Sequence, residues 1–308
     1  MSLSSVEPSP PFDPQSPMAV LLFFLLAIFM GSLIGNGLAL ALSAAWEIDI
    51  PTLLQSLNEE SPYRERQFAR YINLLSHSMS FTAPALATAI FFYRKDWSQF
   101  LRINKSPKWS NLLLGIALII ASFGVAHFTY WLNQQIPLPE WATKAEDTAT
   151  NMIKGLLVME SPLEFLLNLL VMAVLPAIGE ELLFRGVLQT KLEEWTRQAH
   201  LAIWITALIF SAFHLQFEGF LPRMLLGAIL GYLFFWTRNL WIPIIGHFVF
   251  NGMQVVATYL YNGDLSKLEP EQVAGANWVG TLFSGLLAAY FCYIIVKRNQ
   301  PNHEQSIP

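Results

Sequence analysis

Residues 18–46 read MAVLLFFLLAIFMGSLIGNGLALALSAAW, an apolar run that contains no charged residue. An α-helix rises about 1.5 Å per residue, so about 20 apolar residues are enough to cross a bilayer. The run is therefore predicted to be a transmembrane helix. Seven further apolar segments of spanning length follow it, near 72–93, 111–133, 162–184, 200–217, 221–237, 239–261 and 276–296. Together they predict an all-α fold, a polytopic transmembrane helix bundle of about eight spans.

The composition supports a membrane protein. Hydrophobic residues make up 54% of the chain and charged residues 13%, against about 25% charged residues in soluble domains. These values exclude an ordinary soluble enzyme and a disordered chain. The net charge is −4 and no basic stripe occurs, so no nucleic acid is expected as a partner. The single cysteine, Cys292, excludes an internal disulfide framework and a cysteine-rich zinc site.

The chain divides into four regions. Residues 1–17 are rich in Pro and Ser and are predicted to form a flexible tail. They contain no Lys or Arg, and the apolar run after them is long, so that run is predicted to be an uncleaved helix rather than a signal peptide. Residues 18–160 are assigned to N-terminal transmembrane helices and interfacial loops. Residues 161–262 form the core that holds the polar motifs, and 263–308 form the last transmembrane helix and a tail.

The distribution of positive charge predicts the orientation. The loop 94–108 carries Arg94, Lys95, Arg102, Lys105 and Lys108. Because cytoplasmic loops are enriched in Lys and Arg, this loop and both termini are predicted to be cytoplasmic. Stretch 94–109 is interpreted as either an amphipathic surface helix or a solvated basic loop. Residues 140–158 are predicted to form an interfacial helix on the other side.

Ionisable residues inside a span are costly and point to function. The fourth segment contains GEELLFRG at 179–186. Glu181 and Arg185 are i, i+4 and are predicted to pair on one helix face as a structural unit. Glu180 points about 100° away from Glu181 and has no local partner. It is therefore predicted to face the interior of the bundle.

Three further polar residues lie in later spans. His214 ends the stretch FSAFH, and His247 and Asn251 are i, i+4 in the seventh segment. A buried carboxylate beside a neutral histidine suits water activation. Glu180 and His214 are therefore predicted to deprotonate a water together. His247 and Asn251 are the predicted oxyanion hole. The same residue types also suit a zinc ion held by Glu180, His214 and His247, although no HExxH motif occurs, and metal-independent chemistry is favoured.

Glu180 and His214 can form this site only if they lie at the same depth in the membrane. With the predicted boundaries, Glu180 lies near the end of its span and His214 lies far inside its own. For the two to meet, the fifth helix must begin outside the bilayer, near residue 192, or tilt strongly, and the early start is expected. The resulting cavity, between the fourth, fifth and seventh helices, is expected to open to the cytoplasm or the inner leaflet. His77 is interpreted as an interhelical hydrogen-bonder, and the GxxxG pairs at 31–35 and 227–231 as packing seams.

The ordered motif set resembles the CPBP family of intramembrane proteases, which includes the type II CAAX prenyl endopeptidases and Abi-type proteins. The family's motifs EExxxR, FxxxH and HxxxN/D correspond here to Glu180-Glu181 with Arg185, Phe210 with His214, and His247 with Asn251. The resemblance covers roughly 160–255. It implies peptide-bond hydrolysis in or beside the membrane, with Glu180 as the catalytic carboxylate and His214, His247 and Asn251 completing the site.

The resemblance also indicates which partners to expect. It implies a peptide or membrane-protein substrate in contact with membrane lipid, in a bacterial plasma membrane, where a prenylated CAAX substrate is not favoured. No cofactor is required by the residues alone, and a divalent metal such as zinc is the open alternative. The second function considered is a non-catalytic membrane immunity or partner-binding protein of the same fold. No oligomeric state follows from these motifs.

Overall fold

The computed structural model describes residues 16–261 and 277–299, and this part of the chain contains helices and no strand. Ten helices are distinguished in it. They are α1 (Pro17–Trp46), α2 (Ile50–Ser56), α3 (Tyr63–Phe100), α4 (Trp109–Gln134), α5 (Glu140–Leu157), α6 (Pro162–Thr196), α7 (Ala199–Phe213), α8 (Phe220–Thr237), α9 (Trp241–Leu260) and α10 (Trp278–Asn299). Residues 1–15 of the predicted tail 1–17, and residues 262–276 and 300–308, lie outside the described residues.

Six helices are long and apolar enough to cross a membrane, namely α1, α3, α4, α6, α8 and α10. The predicted all-α polytopic bundle is therefore confirmed. The predicted count of about eight spans is roughly consistent with these six, because the two remaining predicted spans are helices that fall just outside this set. The first, α7, has 15 residues and is too short by itself. The second, α9, has 20 residues, but His247, Asn251 and Gln254 make it less apolar.

Apolar side chains on the outside of the bundle mark the lipid-facing surface. On α1, Leu22 and Leu25 are each 59% exposed, while Phe24 on the opposite face is 1% exposed. A helix that places leucines outside and satisfies its own backbone hydrogen bonds suits a hydrocarbon environment. The outer faces of the bundle are therefore built for lipid rather than for water.

The fourth span is longer than predicted. Helix α6 continues to Thr196 instead of ending at 184, and α7 begins at Ala199 instead of near 192. The additional turns of α6 are stabilised because Lys191 is buried. Its ammonium lies 5.3 Å from the ring centres of Tyr93 and Phe100. The break comes at Arg197, whose φ of 55° is left-handed.

This longer helix removes the mismatch in depth between Glu180 and His214. Glu180 is 16 residues before Thr196, about 24 Å along the helix, and His214 is 15 residues after Ala199, about 22 Å along the next one. The predicted start of the fifth helix near 192 was wrong. The two residues nevertheless reach the same level, since the extra length lies at the end of α6.

A buried polar network joins α3 to α6. Arg70, which is 1% exposed, donates to Glu164 Oε1 at 2.8 Å and to Asn168 Oδ1 at 2.8 Å. The same guanidinium donates to the carbonyl oxygens of Leu156 and Val158 at the end of α5. A charge buried this deeply is tolerated only when it is paired and hydrogen-bonded. The network fixes the two helices that carry His77 and Glu180.

Glycines allow close packing at the two predicted seams. A Cβ added to Gly31 would lie 2.1 Å from the carbonyl oxygen of Met79, so α1 contacts α3 without space for a side chain. On α8, the carbonyl oxygens of Gly227 and Gly231 accept hydrogen bonds from Arg185 at 2.8 Å and Gln189 at 3.1 Å. Small residues at such positions let polar side chains of one helix reach the backbone of the next.

Candidate active site

The acidic motif lies on an irregular part of α6. The helix has π-helical turns at Leu169–Val174 and Leu182–Gln189, with Pro176 between them. Such turns are frequent at functional sites because they change the direction in which side chains project. Glu180 is 6% exposed and Glu181 is 0% exposed. The two carboxylates have different surroundings.

Glu181 belongs to a buried ion pair. Arg185 donates to Glu181 Oε1 at 2.6 Å, and both side chains are fully buried. The guanidinium also lies 4.8 Å from the ring centre of Phe210 and donates to Gly227. One pair therefore connects α6 with α7 and α8. Because removing one partner of a buried pair leaves an uncompensated charge, this unit holds the helices around the site.

Glu180 has one engaged and one free oxygen. Its Oε1 lies 3.2 Å from Nε2 of His77 on α3. Its Oε2 lies 3.9 Å from Nε2 of His247 and has no hydrogen-bond partner within the described residues. A buried carboxylate oxygen without a partner needs an explanation, and a bound water or a substrate group provides one.

His77 was not recognised from the sequence as part of this site. Its ring stacks on Phe81 with centres 4.4 Å apart, which fixes the direction of Nε2 toward Glu180. Gly179 permits this approach, since a Cβ there would lie 2.8 Å from His77 Cε1. The hydrogen bond is interhelical, as expected, but its acceptor is the candidate catalytic carboxylate. The only sequence signal was a histidine inside a predicted span.

His214 lies just beyond the end of α7, and its Nδ1 is 2.9 Å from the carbonyl oxygen of Phe210. A carbonyl can only accept, so Nδ1 carries a proton and a neutral ring presents Nε2 as an acceptor. His214 lines the same cavity as Glu180. No hydrogen bond joins these two side chains in the described structure.

The loop that follows His214 is tied to α4 and α5. Glu146 Oε2 accepts the backbone N–H of Phe217 at 2.7 Å. Asn133 donates to the carbonyl oxygen of Phe217 at 2.8 Å and accepts the N–H of Leu221 at 2.8 Å. These bonds hold the backbone between α7 and α8, and therefore the position of the His214 ring.

His247 and Asn251 lie one turn apart on α9. His247 Nδ1 is 2.8 Å from Glu181 Oε1, and Nε2 faces Glu180. Asn251 donates its amide to the carbonyl oxygen of Met172 at 3.3 Å, in the first π-helical turn of α6. The structure thus brings His247 beside both carboxylates, whereas the amide of Asn251 is already engaged.

These residues line one cavity of about 360 Å³. Its walls are mostly apolar, and the polar groups converge at Glu180, as in many enzyme and ligand sites. The lining residues nearest the chemistry are His77, Glu180, His214, Arg223, His247 and Asn251.

The cavity extends toward the end of the bundle that carries α5. Asn73, Ile153 and Gln254 line it on that side of Glu180. Toward the loop 101–108 the space is filled by an apolar cluster that includes Phe184 and Ile244. An opening on the side of the basic loop is therefore blocked. A cytoplasmic basic loop is therefore not compatible with the expected opening of the cavity to the cytoplasm or the inner leaflet.

The side chains present match zinc in type but are not gathered as a ligand set. Glu180 Oε2 and the Nε2 atoms of His214 and His247 are the donors that zinc prefers. Within residues 16–261 and 277–299, no group of three or more His, Cys, Asp or Glu side chains is placed to hold a metal ion. The arrangement instead pairs each carboxylate with a histidine.

The fold and cavity define an integral multi-pass helical membrane protein with a buried carboxylate–histidine site. The family model "Type II CAAX prenyl endopeptidase Rce1-like" matches residues 162–253, which run from α6 into α9 and hold every predicted site residue. The family resemblance read from the motifs is confirmed for this segment.

A curated protein of Bacillus subtilis (strain 168), "Uncharacterized protein YpbD", is 32% identical over 90 residues. The alignment covers 28% of this chain and 43% of YpbD, so the chain spans less than half the length of that relative. No solved structure matches the chain.

Proposed function

We propose that this protein is an intramembrane endopeptidase that hydrolyses a peptide bond of a membrane-associated or CAAX-like substrate. The observation that carries the proposal is the position of Glu180, a buried carboxylate whose two oxygens face His77 and His247 in a cavity that His214 also lines. The match of residues 162–253 to the CAAX endopeptidase model supports the reaction class.

In the first step, a water between Glu180 Oε2 and His214 Nε2 attacks the substrate carbonyl carbon. The water loses a proton to Glu180 as the new C–O bond forms, and the carbonyl π electrons move to oxygen. His214 accepts a hydrogen bond from the same water, because its Nδ1–H is committed to Phe210. A positioned carboxylate base contributes about 10²–10⁴-fold to such a step.

The negative oxygen of the tetrahedral intermediate is stabilised by His247. When protonated on both nitrogens, His247 has one N–H toward Glu181 and the other toward the cavity. Since Glu180 has taken the proton of the water, the charges of Glu181, Arg185, His247 and the oxyanion then sum to zero. Asn251 adds a second donor when its amide turns from Met172 to the substrate. Preorganised donors of this kind often give the largest single contribution to catalysis.

In the last step Glu180 returns its proton to the departing amine. The C–N bond breaks as the electron pair on the oxyanion re-forms the carbonyl, and the products are a carboxylic acid and an amine. No atom is consumed beyond the water. The steps use the chain's own side chains.

The direction of substrate entry follows from the cavity. We keep the loop 94–108 and both termini in the cytoplasm, because positive charge favours that side. The bond between Asn299 at the end of α10 and Asn111 at the start of α4 supports placing the end of α10 on the side of the basic loop. The cavity then extends toward the opposite membrane face, under α5, and a membrane peptide enters from that side or laterally.

The proposal is tested with libraries of membrane and lipidated peptides, incubated with purified protein and analysed by mass spectrometry, with and without a chelator. Cleavage that persists in chelator supports activation of water by Glu180. Cleavage that is lost in chelator and restored by zinc would assign the site to a metal enzyme. Specific binding of a peptide with no cleavage would favour the non-catalytic partner-binding function.

A further inference from the structure

A second cavity lies outside the candidate active site, beside the loop 101–108 and the turn between α8 and α9. Its volume is about 310 Å³. Four cations line it, together with side-chain amides, hydroxyls and one apolar residue, and none of its lining residues is acidic. The cations are Arg102, Lys105, Lys108 and Arg238.

The cations are only partly neutralised by the described protein. Arg238 pairs with Glu193, with N–O distances of 2.7 and 3.1 Å. In residues 16–261 and 277–299, no carboxylate lies within ion-pair distance of Arg102, Lys105 or Lys108. Burial and the neighbouring charge of Arg238 lower the pKa of Arg102, and the more weakly acting charges of Glu193 and Glu194 only partly oppose them. A cluster of like charges in a cavity is relieved when an anion binds between them.

The cavity is formed by fixed backbone rather than by a loose loop. Leu240 N–H donates to the carbonyl oxygen of Arg102 at 3.2 Å, and Asn239 donates to that of Lys105 at 2.8 Å. The indole of Trp241 donates to Ile103 at 3.0 Å. Arg102 and Arg238 have φ values of 56° and 49°, a conformation unfavourable for residues with a side chain. At Arg238 this conformation is the left-handed C-cap of α8, whose N–H donates to the carbonyl oxygen of Phe234 at 2.8 Å.

The position of the cavity indicates where its ligand comes from. It lies where α4 and α9 begin and where α8 and α10 end. Trp109 and Trp241, the first residues of α4 and α9, are 77% and 37% exposed. Exposed tryptophans at helix ends mark the level of the lipid headgroups. Basic pockets between helix ends at this level suit lipid phosphates.

We propose that this cavity is a binding site for a phosphate group, carried there by the headgroup of an anionic phospholipid. The guanidinium of Arg102 and the ammonium of Lys105 contact the phosphate oxygens, and Lys108 adds charge at the rim. The amide of Asn104 lies in the same lining and contacts the polar part of the headgroup. This site is separate from the proposed peptidase activity and does not depend on it.

The test compares purified wild-type protein with the double variant Arg102→Gln/Lys105→Gln. The matched control is Lys95→Gln/Lys297→Gln, which removes the same charge from exposed positions outside the cavity. Native mass spectrometry measures binding of phosphatidylglycerol added to phosphatidylcholine micelles. Because each surface cation contributes severalfold to the binding of an anionic lipid, we expect about a tenfold or greater loss in the cavity variant. The control should bind as the wild type does.

Two further arms complete the experiment. Inorganic phosphate replaces the lipid in one arm. Binding that depends on Arg102 and Lys105 but shows no preference for phosphatidylglycerol would keep the phosphate site and assign it a soluble source. The variant Arg102→Lys keeps the charge and should keep most of the binding, which separates the charge from a folding defect. Equal binding of both probes by the wild type and the cavity variant would overturn the proposal.

Discussion

Glu180 Oε1 lies 3.2 Å from His77 Nε2, across 103 positions of the chain. The contact joins the acidic motif to α3, outside the segment that matches the endopeptidase family. His77 is in turn fixed by stacking on Phe81 and by the absence of a side chain at Gly179. The N-terminal helices therefore contribute directly to the candidate active site.

The first prediction concerns His77. Its replacement by Ala frees Glu180 Oε1 and lets the carboxylate rotate, so turnover should fall about 10–100-fold, the usual range for a group that orients a reactive residue. His77→Gln keeps a donor and should recover part of the activity. The effect should be on kcat and on its pH profile rather than on KM. A comparable loss in His127→Ala, which changes a histidine on α4, would contradict this role.

The second prediction concerns the pair Glu181–Arg185. Arg185→Met leaves a buried carboxylate without its cation and should lower the free energy of unfolding by about 3–5 kcal/mol. The double variant Glu181→Leu/Arg185→Met should recover much of that loss, since both charges are gone. Thermal unfolding in micelles measures both. Equal stability of Arg185→Met and the wild type would show that the pair does not hold the bundle.

The third prediction concerns Glu146, which holds the loop after His214. Glu146→Ala removes the acceptor of the Phe217 N–H and should reduce turnover about tenfold, because a small displacement of a catalytic group is costly. Glu146→Gln keeps an acceptor oxygen and should stay close to the wild type. The control is Glu140→Ala, an exposed position on the same helix. If the Ala variants at 146 and 140 have equal turnover, the loop does not depend on Glu146.

The fourth prediction concerns the side on which the cavity opens. Cysteines are introduced at Lys105 and Asp147 of a chain in which Cys292 is replaced by Ser. With the basic loop in the cytoplasm, a membrane-impermeant maleimide added to intact cells should label residue 147 and not residue 105. Labelling of 105 alone would reverse the orientation and place the cavity toward the cytoplasm.

Much of the fold could be predicted because apolar length is a local signal. Each of the eight predicted segments overlaps a helix, and the EExxxR spacing predicts which carboxylate can meet Arg185. The end of α6 could not be predicted, since Lys191 and Glu194 resemble a solvated turn. The helix continues there because the rings of Tyr93 and Phe100 cover Lys191.

For the candidate site, local sequence motifs predict some of the residues but not their contacts. Sequence motifs name His214, His247 and Asn251, but they do not give the partners of each atom. The bond from Asn251 to Met172 arises beside a π-helical turn, and the contact of His77 with Glu180 needs a missing side chain at Gly179. Both depend on tertiary packing, which has no periodic signal in one sequence. The direction of the cavity likewise depends on which end of the bundle the apolar cluster fills.

Activation of water by Glu180 can be tested by replacing its carboxylate. Purified wild type, Glu180→Gln and Glu180→Asp are compared for cleavage of a membrane peptide that the wild type cuts, with product quantified by mass spectrometry. Gln has nearly the same shape but is not a base, so no product above background is predicted, with unchanged thermal unfolding and retained peptide binding. Asp keeps a carboxylate and should retain measurable turnover. Turnover by Glu180→Gln at the wild-type rate would contradict the account.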